Sequence, residues 1–463
     1  MEMNLKHLAV AIALAVAAGS ANATPVYHPP GPNLTYGDVS NGQTIMSDIT
    51  NPAAGAAALK KNGNQYRFGV LSSIGIGAEF GQVDDLYNRI EDEANAFDVS
   101  GVSLDDPSQI AQSINDQVGT INEILADVQA KGYAKAFVSG HLPIMPLVVA
   151  HKAFGGSIVL DINGSVISKV YGLHDSIDVD AAALETAITS NPTLGTYTNQ
   201  DVTINYDAFN PANSTLVIDN DSSVVAKAAY TAELTLGYSR PVLNADTGTL
   251  YAGLRGHYYQ VGLTRKAIRL SNLDDVEKEL NDISKDDLAT STGIGVDLGV
   301  LWIEQHYRLG ATLTNINEPS FKYAAFDTSA FNNPNGIVAT TIAADDTYTM
   351  QSQLKLEAAL YSASQNWVLS AAMDANPVKD PMGDDYQWAT ASAAYATDSW
   401  LIPGLRVGYR KNLAGSELSY ATAGLTLFKI LNLDVAYGLE SVTIDGDTVP
   451  RSLIANLGLE VTF

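Results

Sequence analysis

Histidines and paired aspartates are the residues of this chain best suited to chemistry. The histidines are His7, His28, His141, His151, His174, His257 and His306. A serine hydrolase would need one of them beside a serine and a carboxylate. The sequence has no Gly-x-Ser-x-Gly elbow, no phosphate-binding glycine loop ending in Lys, and no His-Glu-x-x-His. A Ser–His pair on an outer wall stays open as an alternative, because such partners can be far apart in sequence. Asp-Asp doublets recur at 84–85, 105–106, 274–275, 286–287, 345–346 and 384–385. Carboxylate oxygens suit Ca²⁺, but none of the doublets has the spacing of a calcium loop, and solvated acidic loops are the plainer reading. The expectation is a protein without catalytic site, metal or cofactor.

Composition narrows the classes further. The chain has 463 residues, with 26 Lys plus Arg against 51 Asp plus Glu, a net charge of −25. No cysteine is present, which excludes thiol nucleophiles, disulfides and Cys-ligated metal centres. The strong negative balance argues against nucleic acid as a partner, since phosphate binding needs Lys and Arg. Charged residues are 17% of the chain, below the roughly 25% of ordinary soluble domains, while Tyr (22) and Gly (37) are plentiful.

The first residues read as an export signal. Lys6 supplies the positive end, Leu8 to Ala18 the apolar core, and Ala21-Asn22-Ala23 the small-residue cleavage site. Residues 1–23 are therefore expected to be removed, leaving Thr24 first. The apolar core is shorter than the ~20 residues of a spanning helix.

Beyond that segment the dominant signal has a period of two. Leu453, Ala455, Leu457, Leu459, Val461 and Phe463 share one face, and Ser452, Asn456, Gly458, Glu460 and Thr462 the other. The same alternation marks residues 431–439, 405–410, 307–314, 294–302 and 230–238. Further runs lie near 66–79, 155–163, 165–172, 249–263, 351–361, 366–374 and 386–396. Each has about the 9–11 residues of a tilted strand crossing a bilayer. One face is apolar with aromatics near its ends; the other carries charges and glycines. Apolar outside and polar inside, with aromatic girdles, is the pattern of a transmembrane barrel. The fold predicted is all-β: an antiparallel outer-membrane β-barrel of about 14 strands (range about 12–16). The aromatic Phe463 closing the last strand is a terminal barrel signal.

In such a barrel Arg67, Glu79, Glu233, Arg255, Asp297, Arg308, Lys355, Glu357, Arg406, Arg410, Asp434, Glu440 and Glu460 should face the lumen. They would line a selective channel or form a salt-bridge lattice joining wall to plug. Asp297 and Arg308 lie on neighbouring runs and are expected to pair.

Three regions break the pattern. Residues 24–65, rich in Pro, Gly and Ala, are expected to form a plug or hatch, with a periplasmic tether as the alternative. Residues 66–463 would be barrel, with a helical insertion at about 80–132. Within it, Ile110, Ile114, Val118, Ile121, Leu125 and Val128 recur at three- and four-residue steps and predict an amphipathic helix over 107–131. It would cap the mouth or offer its stripe to a partner. Shorter helices are expected at 84–96 and 178–189, and an acidic helix or loop at 272–287.

Some motifs resemble a known family. Asn51-Pro52-Ala53 before the first strand, Thr292–Val300, Arg308-Leu309-Gly310 through Asn315–Phe321, Pro143–Lys152 and Gly155–Leu160 resemble the TraF-like outer-membrane proteins associated with plasmid conjugal transfer. That family resembles in turn the FadL-type barrel superfamily. The resemblance implies residence in the outer membrane and passage or capture of small, possibly hydrophobic molecules. It equally implies a non-transporting component of a conjugal transfer or secretion system. Expected partners are outer-membrane lipid and lipopolysaccharide, and the barrel-assembly machinery acting on the last strand. Thiol-redox chemistry, found in a periplasmic thioredoxin-like protein of the same name, has no cysteine to run on here.

Overall fold

The computed structural model describes residues 30–57, 65–86, 89, 98–100, 110–190, 195–210, 213–272, 288–396, 399–444 and 446–462. The expected signal peptide, most of the 84–96 and 272–287 helices, and Phe463 lie outside them. Among the described residues no helix is long and apolar enough to cross a membrane.

The strands close into one antiparallel barrel. In chain order they are β1 (Gln65–Phe80), β2 (Tyr133–His141), β3 (Leu147–His151), β4 (Gly156–Leu173), β5 (Ser223–Ala245), β6 (Gly248–Arg269), β7 (Ala289–Ile303) and β8 (Tyr307–Thr314). They continue as β9 (Gln353–Tyr361), β10 (Trp367–Asp374), β11 (Trp388–Tyr395), β12 (Gly404–Asn412), β13 (Ser419–Leu427), β14 (Leu431–Gly438) and β15 (Ser452–Thr462). β15 pairs with β1 from Phe68↔Val461 to Glu79↔Ser452 and seals the sheet. β2 and β3 are two halves of one stave. β1 pairs with β3 through Gln65–Phe68 and with β2 through Ile74–Phe80. Fifteen strands thus make fourteen staves.

Residues 142–146 interrupt that stave. Pro143 and Pro146 lack the N–H that a ladder needs, and β1 bulges between Gly69 and Ile74 opposite the break. The prolines also explain why the period of two does not reveal this strand. β13 was hidden for another reason: small residues fill the middle of both faces, Ala421 and Ala423 outside and Thr422 and Gly424 inside, and they carry little contrast. In the other direction, the runs 155–163 and 165–172 are one strand, β4. Asn163-Gly164-Ser165 looks like a turn in sequence, but lies flat in the ladder opposite Glu233, Ala232 and Thr231.

Alternation puts the apolar set outside. On β5, Leu234, Leu236 and Tyr238 are exposed while Thr231, Thr235 and Ser239 are buried. Ile294, Leu298, Leu309, Leu356, Leu369, Val407, Tyr437 and Leu453 continue this exposed apolar belt around the wall. For a water-soluble fold the arrangement is inverted; in a bilayer it is the stable one.

The two ends differ. Turns at 152–155, 246–247, 304–306, 362–366 and 428–430 are short and sit at the end where β1 begins. Long excursions leave the other end, which is the extracellular side by the usual asymmetry. There α3 (Ile110–Lys131) buries all six residues of its predicted stripe. They pack on Leu184 and Ile188 of α4 (Ala181–Ser190) and on Val202, Ile204, Leu216 and Ile218 of a small four-stranded sheet. This cap has its own apolar core, which is why the stripe is covered by the chain itself.

Leu234 lies midway between Tyr230 and Tyr238 on the outward face. Leu234→Arg places a charge near the membrane midplane and is expected to destabilise the barrel by about 2–4 kcal/mol. Denaturant titration in lipid vesicles measures this; a shift below ~1 kcal/mol would place Leu234 at an interface instead.

Candidate functional site: the plugged lumen

Residues 30–57 lie inside the barrel. Two single-turn helices, α1 (Asn33–Tyr36) and α2 (Ile45–Asp48), and a 3-10 turn at Ala54–Ala57 touch the wall on opposite sides. α1 meets β11 to β14, α2 meets β1, and the 3-10 turn meets β3 to β6. Asn33, Leu34, Ser40, Met46, Ser47, Asn51 and Ala53 are fully or almost fully buried. Thr44 caps α2 by accepting from the Ser47 amide while the Ser47 hydroxyl accepts from the Thr44 amide.

Charged wall residues grip this segment. Arg67 pairs with Asp48. Lys355 pairs with Asp38 at 2.6 Å. Glu357 accepts from the Ser40 amide, and from Asn51 Nδ2 at 2.7 Å. Glu460 accepts from the Ile45 amide at 2.5 Å and from Asn432 at 3.1 Å. Asp434 accepts from the Thr35 hydroxyl at 2.6 Å and forms a two-point ion pair with Arg406, which stacks on Tyr36. Arg308 donates to the Ser40 carbonyl at 2.9 Å and Arg255 to the Thr50 carbonyl at 3.3 Å. Nearly every candidate lumen charge thus has a partner on the plug or a neighbouring stave.

Glu233, Asp297 and Arg410 are not held by the plug. Glu233 does not reach the plug: it and Asp297 hold His257 between them, at 2.5 Å and 2.9 Å from its two ring nitrogens. Both ring nitrogens are thus occupied by neighbours on adjacent strands, which holds the imidazole in place. Arg410 is buried with its guanidinium 4.0 Å above the Trp388 ring, and its nitrogens have no hydrogen-bond partner among the described residues. The expected Asp297–Arg308 pair does not form. The turn at 304–306 sets Arg308 opposite Ile303, close to the periplasmic rim, while Asp297 lies higher, opposite Arg255.

Asn51-Pro52-Ala53 is seated by glycines of the wall. Asn51 Nδ2 also donates to the Val300 carbonyl at 3.1 Å. A Cβ at Gly299 would overlap the Asn51 side chain and Pro52, and one at Gly253 would overlap the Pro52 carbonyl. These glycines are where the plug comes closest to the strands.

Above the plug, two loops fold inward. Residues 315–352 and 375–387 build an aromatic cluster with the wall from Phe321, Tyr323, Tyr348, Met382, Tyr386 and Tyr420. Their carboxylates meet a row of cations absent from the candidate set. Lys135, Lys169, Lys227 and Arg265 are successive cross-strand neighbours on β2, β4, β5 and β6. Lys135 contacts Asp380 at 2.9 Å and Asp384 at 2.5 Å, Lys169 contacts Asp384, and Lys227 contacts Asp345 at 2.6 Å. Arg265 donates to the Ile342 and Asp345 carbonyls. Burial opposes the charged form of Asp384, but Lys135 and Lys169 outweigh it and hold this loop carboxyl well below the usual carboxylate range. The signal for the row is registry, which requires knowing that residues 133–141 form a strand.

Cavities lie on either side of the obstruction. One of about 340 Å³ sits toward the extracellular end, lined by Tyr133, Lys135, Lys169, Asp384, Trp388 and Tyr420 among others. One of about 720 Å³ opens below the plug, bordered by Arg67, Arg308, Trp400, Arg406 and Glu460.

A family described as "F plasmid transfer operon, TraF, protein" matches residues 48–374. The chain belongs to this family. The match begins inside the plug and takes in the lumen-crossing loop at 315–352. No curated protein matches the sequence. Among solved structures, a deltaS2 mutant of the TodX monoaromatic hydrocarbon channel is similar at 13% identity, covering 94% of this chain and 97% of that one, with a TM-score of 0.43. A Pseudomonas aeruginosa FadL homologue is similar at 11% identity, covering 96% and 99%, with a TM-score of 0.26.

Gly299→Val should evict Asn51 and Pro52 while leaving the barrel closed. Limited proteolysis should then cut residues 30–57, and the folded barrel should keep its faster migration on unheated gels. Continued protection of the segment would show that the glycine contact does not hold it. The loop latch has its own pH signature. A carboxyl with a depressed native pKa contributes stability that is fully present above the unfolded value of about 3.9 and is lost as pH falls through the native one. Protease protection of 375–387 should therefore be equal at about pH 8 and pH 5; release at pH 5 would contradict the role of Asp384.

Proposed function

We propose that this barrel passes a small solute across the outer membrane, with residues 30–57 as a displaceable hatch. The observation that carries the reading is the chemistry of the hatch contacts. The plug is held by ion pairs and hydrogen bonds to lumen side chains beside small apolar clusters, such as Ile45 and Met46 on Val148 and Val159, and cavities flank it. Polar contacts can be exchanged for water as the segment moves, whereas a lumen filled by interlocked apolar side chains could not open without losing its core. The extracellular cap and loops would gather the solute, and plug movement would release it toward the periplasm. No catalytic step is part of this reading. Lipid and lipopolysaccharide would contact the outward belt, and the barrel-assembly machinery would engage β15. The export signal at residues 1–23 would be removed on the way.

A second reading is favoured by the family description alone: a closed outer-membrane component of a conjugal transfer system, with α3, α4 and their small sheet as the part other proteins meet.

Planar-bilayer conductance separates the two. The intact protein should be silent or flicker rarely. Gly253→Val with Gly299→Val, and a chain lacking residues 30–57, should both conduct. Silence in all three would mean that the inward loops seal the lumen by themselves. The transport reading would then fall and the partner reading would stand.

A further inference from the structure

The row Lys135, Lys169, Lys227 and Arg265 draws most of its counter-charge from loops rather than from the wall. Like charges directly opposite on neighbouring strands destabilise a sheet. Elsewhere in this lumen the wall mixes its signs, as where Arg406 and Asp434 pair within the wall. Here four cations stand side by side, and among the described residues Glu79 of β1 is the wall carboxylate in register, opposite Lys135. The other counter-charges, Asp345, Asp380 and Asp384, all come from loops. The cations also rest on aromatic faces. Lys169 lies 5.1 Å from the centres of Tyr133 and Tyr171, and Lys227 lies 4.7 Å and Arg265 5.4 Å from that of Tyr323. Such faces hold a cation in place without neutralising it. Lys135 and Lys169 line the extracellular cavity, so one half of the row faces the extracellular entrance.

We propose that this row is a binding strip for multivalent anions, and that Asp345, Asp380 and Asp384 are the protein's own stand-ins for the ligand. Strands are spaced about 4.8 Å apart, so four neighbours span about 14 Å. One small anion reaches two of the cations at most. A chain of linked phosphates or carboxylates reaches all four. When the two loops lift, three negative charges leave and Glu79 stays beside Lys135, so the strip is left with a net positive charge. Arriving anions compete with the aspartates, and loop opening is coupled to ligand capture. The inference goes beyond passage of a solute by giving the entrance a charge preference, and binding can be read without any conductance.

The test is calorimetric titration of the full-length protein in detergent with tripolyphosphate, citrate and, as monovalent control, chloride. Asp384→Asn releases Lys169 and leaves Lys135 with Asp380 as its loop partner, and the triple variant D345N/D380N/D384N uncovers the row. Both should bind a multivalent probe about ten-fold or more tighter than the native protein, with affinity falling steeply as salt rises. Adding K135Q/K169Q/K227Q to the triple variant should abolish the gain. A gain for tripolyphosphate alone marks phosphate as the ligand chemistry; a gain for citrate alone marks carboxylate; both outcomes support the strip. Equal gains for chloride, a gain that survives the glutamine substitutions, or no gain in either aspartate variant while the barrel keeps its unheated gel mobility would overturn it. Loss of conductance would leave this result untouched, and the reverse also holds.

Discussion

Closure of β15 on β1 is the interaction on which the rest of the structure depends. A sheet in a bilayer cannot leave backbone N–H and C=O groups unpaired at an edge, because hydrocarbon offers them nothing. Once the sheet is closed, side chains are divided between two solvents. The outward face must be apolar along the membrane belt. Strand charges within that belt are driven inward, into a space whose walls exclude lipid. Arg67, Lys355, Glu357, Arg406, Asp434 and Glu460 then need partners, since an unpaired buried charge costs several kcal/mol.

The chain meets that need with parts of itself. In the lower lumen, residues 30–57 bring Asp38 and Asp48 together with backbone amides of Ser40 and Ile45 and the side chains of Thr35 and Asn51. In the upper lumen, loops bring Asp345, Asp380 and Asp384. The two fillings differ in character. The plug is short, joins polar contacts to small apolar clusters, and docks close to glycines. The loops add an aromatic cluster and dock against a row of like charges. The two fillings are thus held by separate contacts, each with its own electrostatic signature.

Much of the wall was legible because alternation is local. The final strand, the strand at 230–238 and the strand at 294–302 each display the two solvents in their own residues. The stripe on α3 was legible for the same reason at a different period. β2, β3 and β13 were not. In β2 and β3 the prolines at 143 and 146 end the run, although the partner strands carry the wall past the gap. In β13 small residues suit either face. The lumen charges were visible as a set, but their partners were not: Asp297 meets His257 rather than Arg308, and Lys135 meets residues more than two hundred positions away.

What the sequence by itself determined is the class of the molecule: a closed antiparallel wall, apolar outside and charged inside, with the plug segment before it and helical excursions beyond. Period, strand length and residue type suffice for that, because each strand faces lipid and lumen on its own. What only the tertiary structure decided is registry. Which residues stand at one height across neighbouring staves depends on turn lengths, bulges and the break at 142–146. No single strand contains that information. The grip of the wall on Asn51, the enclosure of His257 and the row from Lys135 to Arg265 all follow from it.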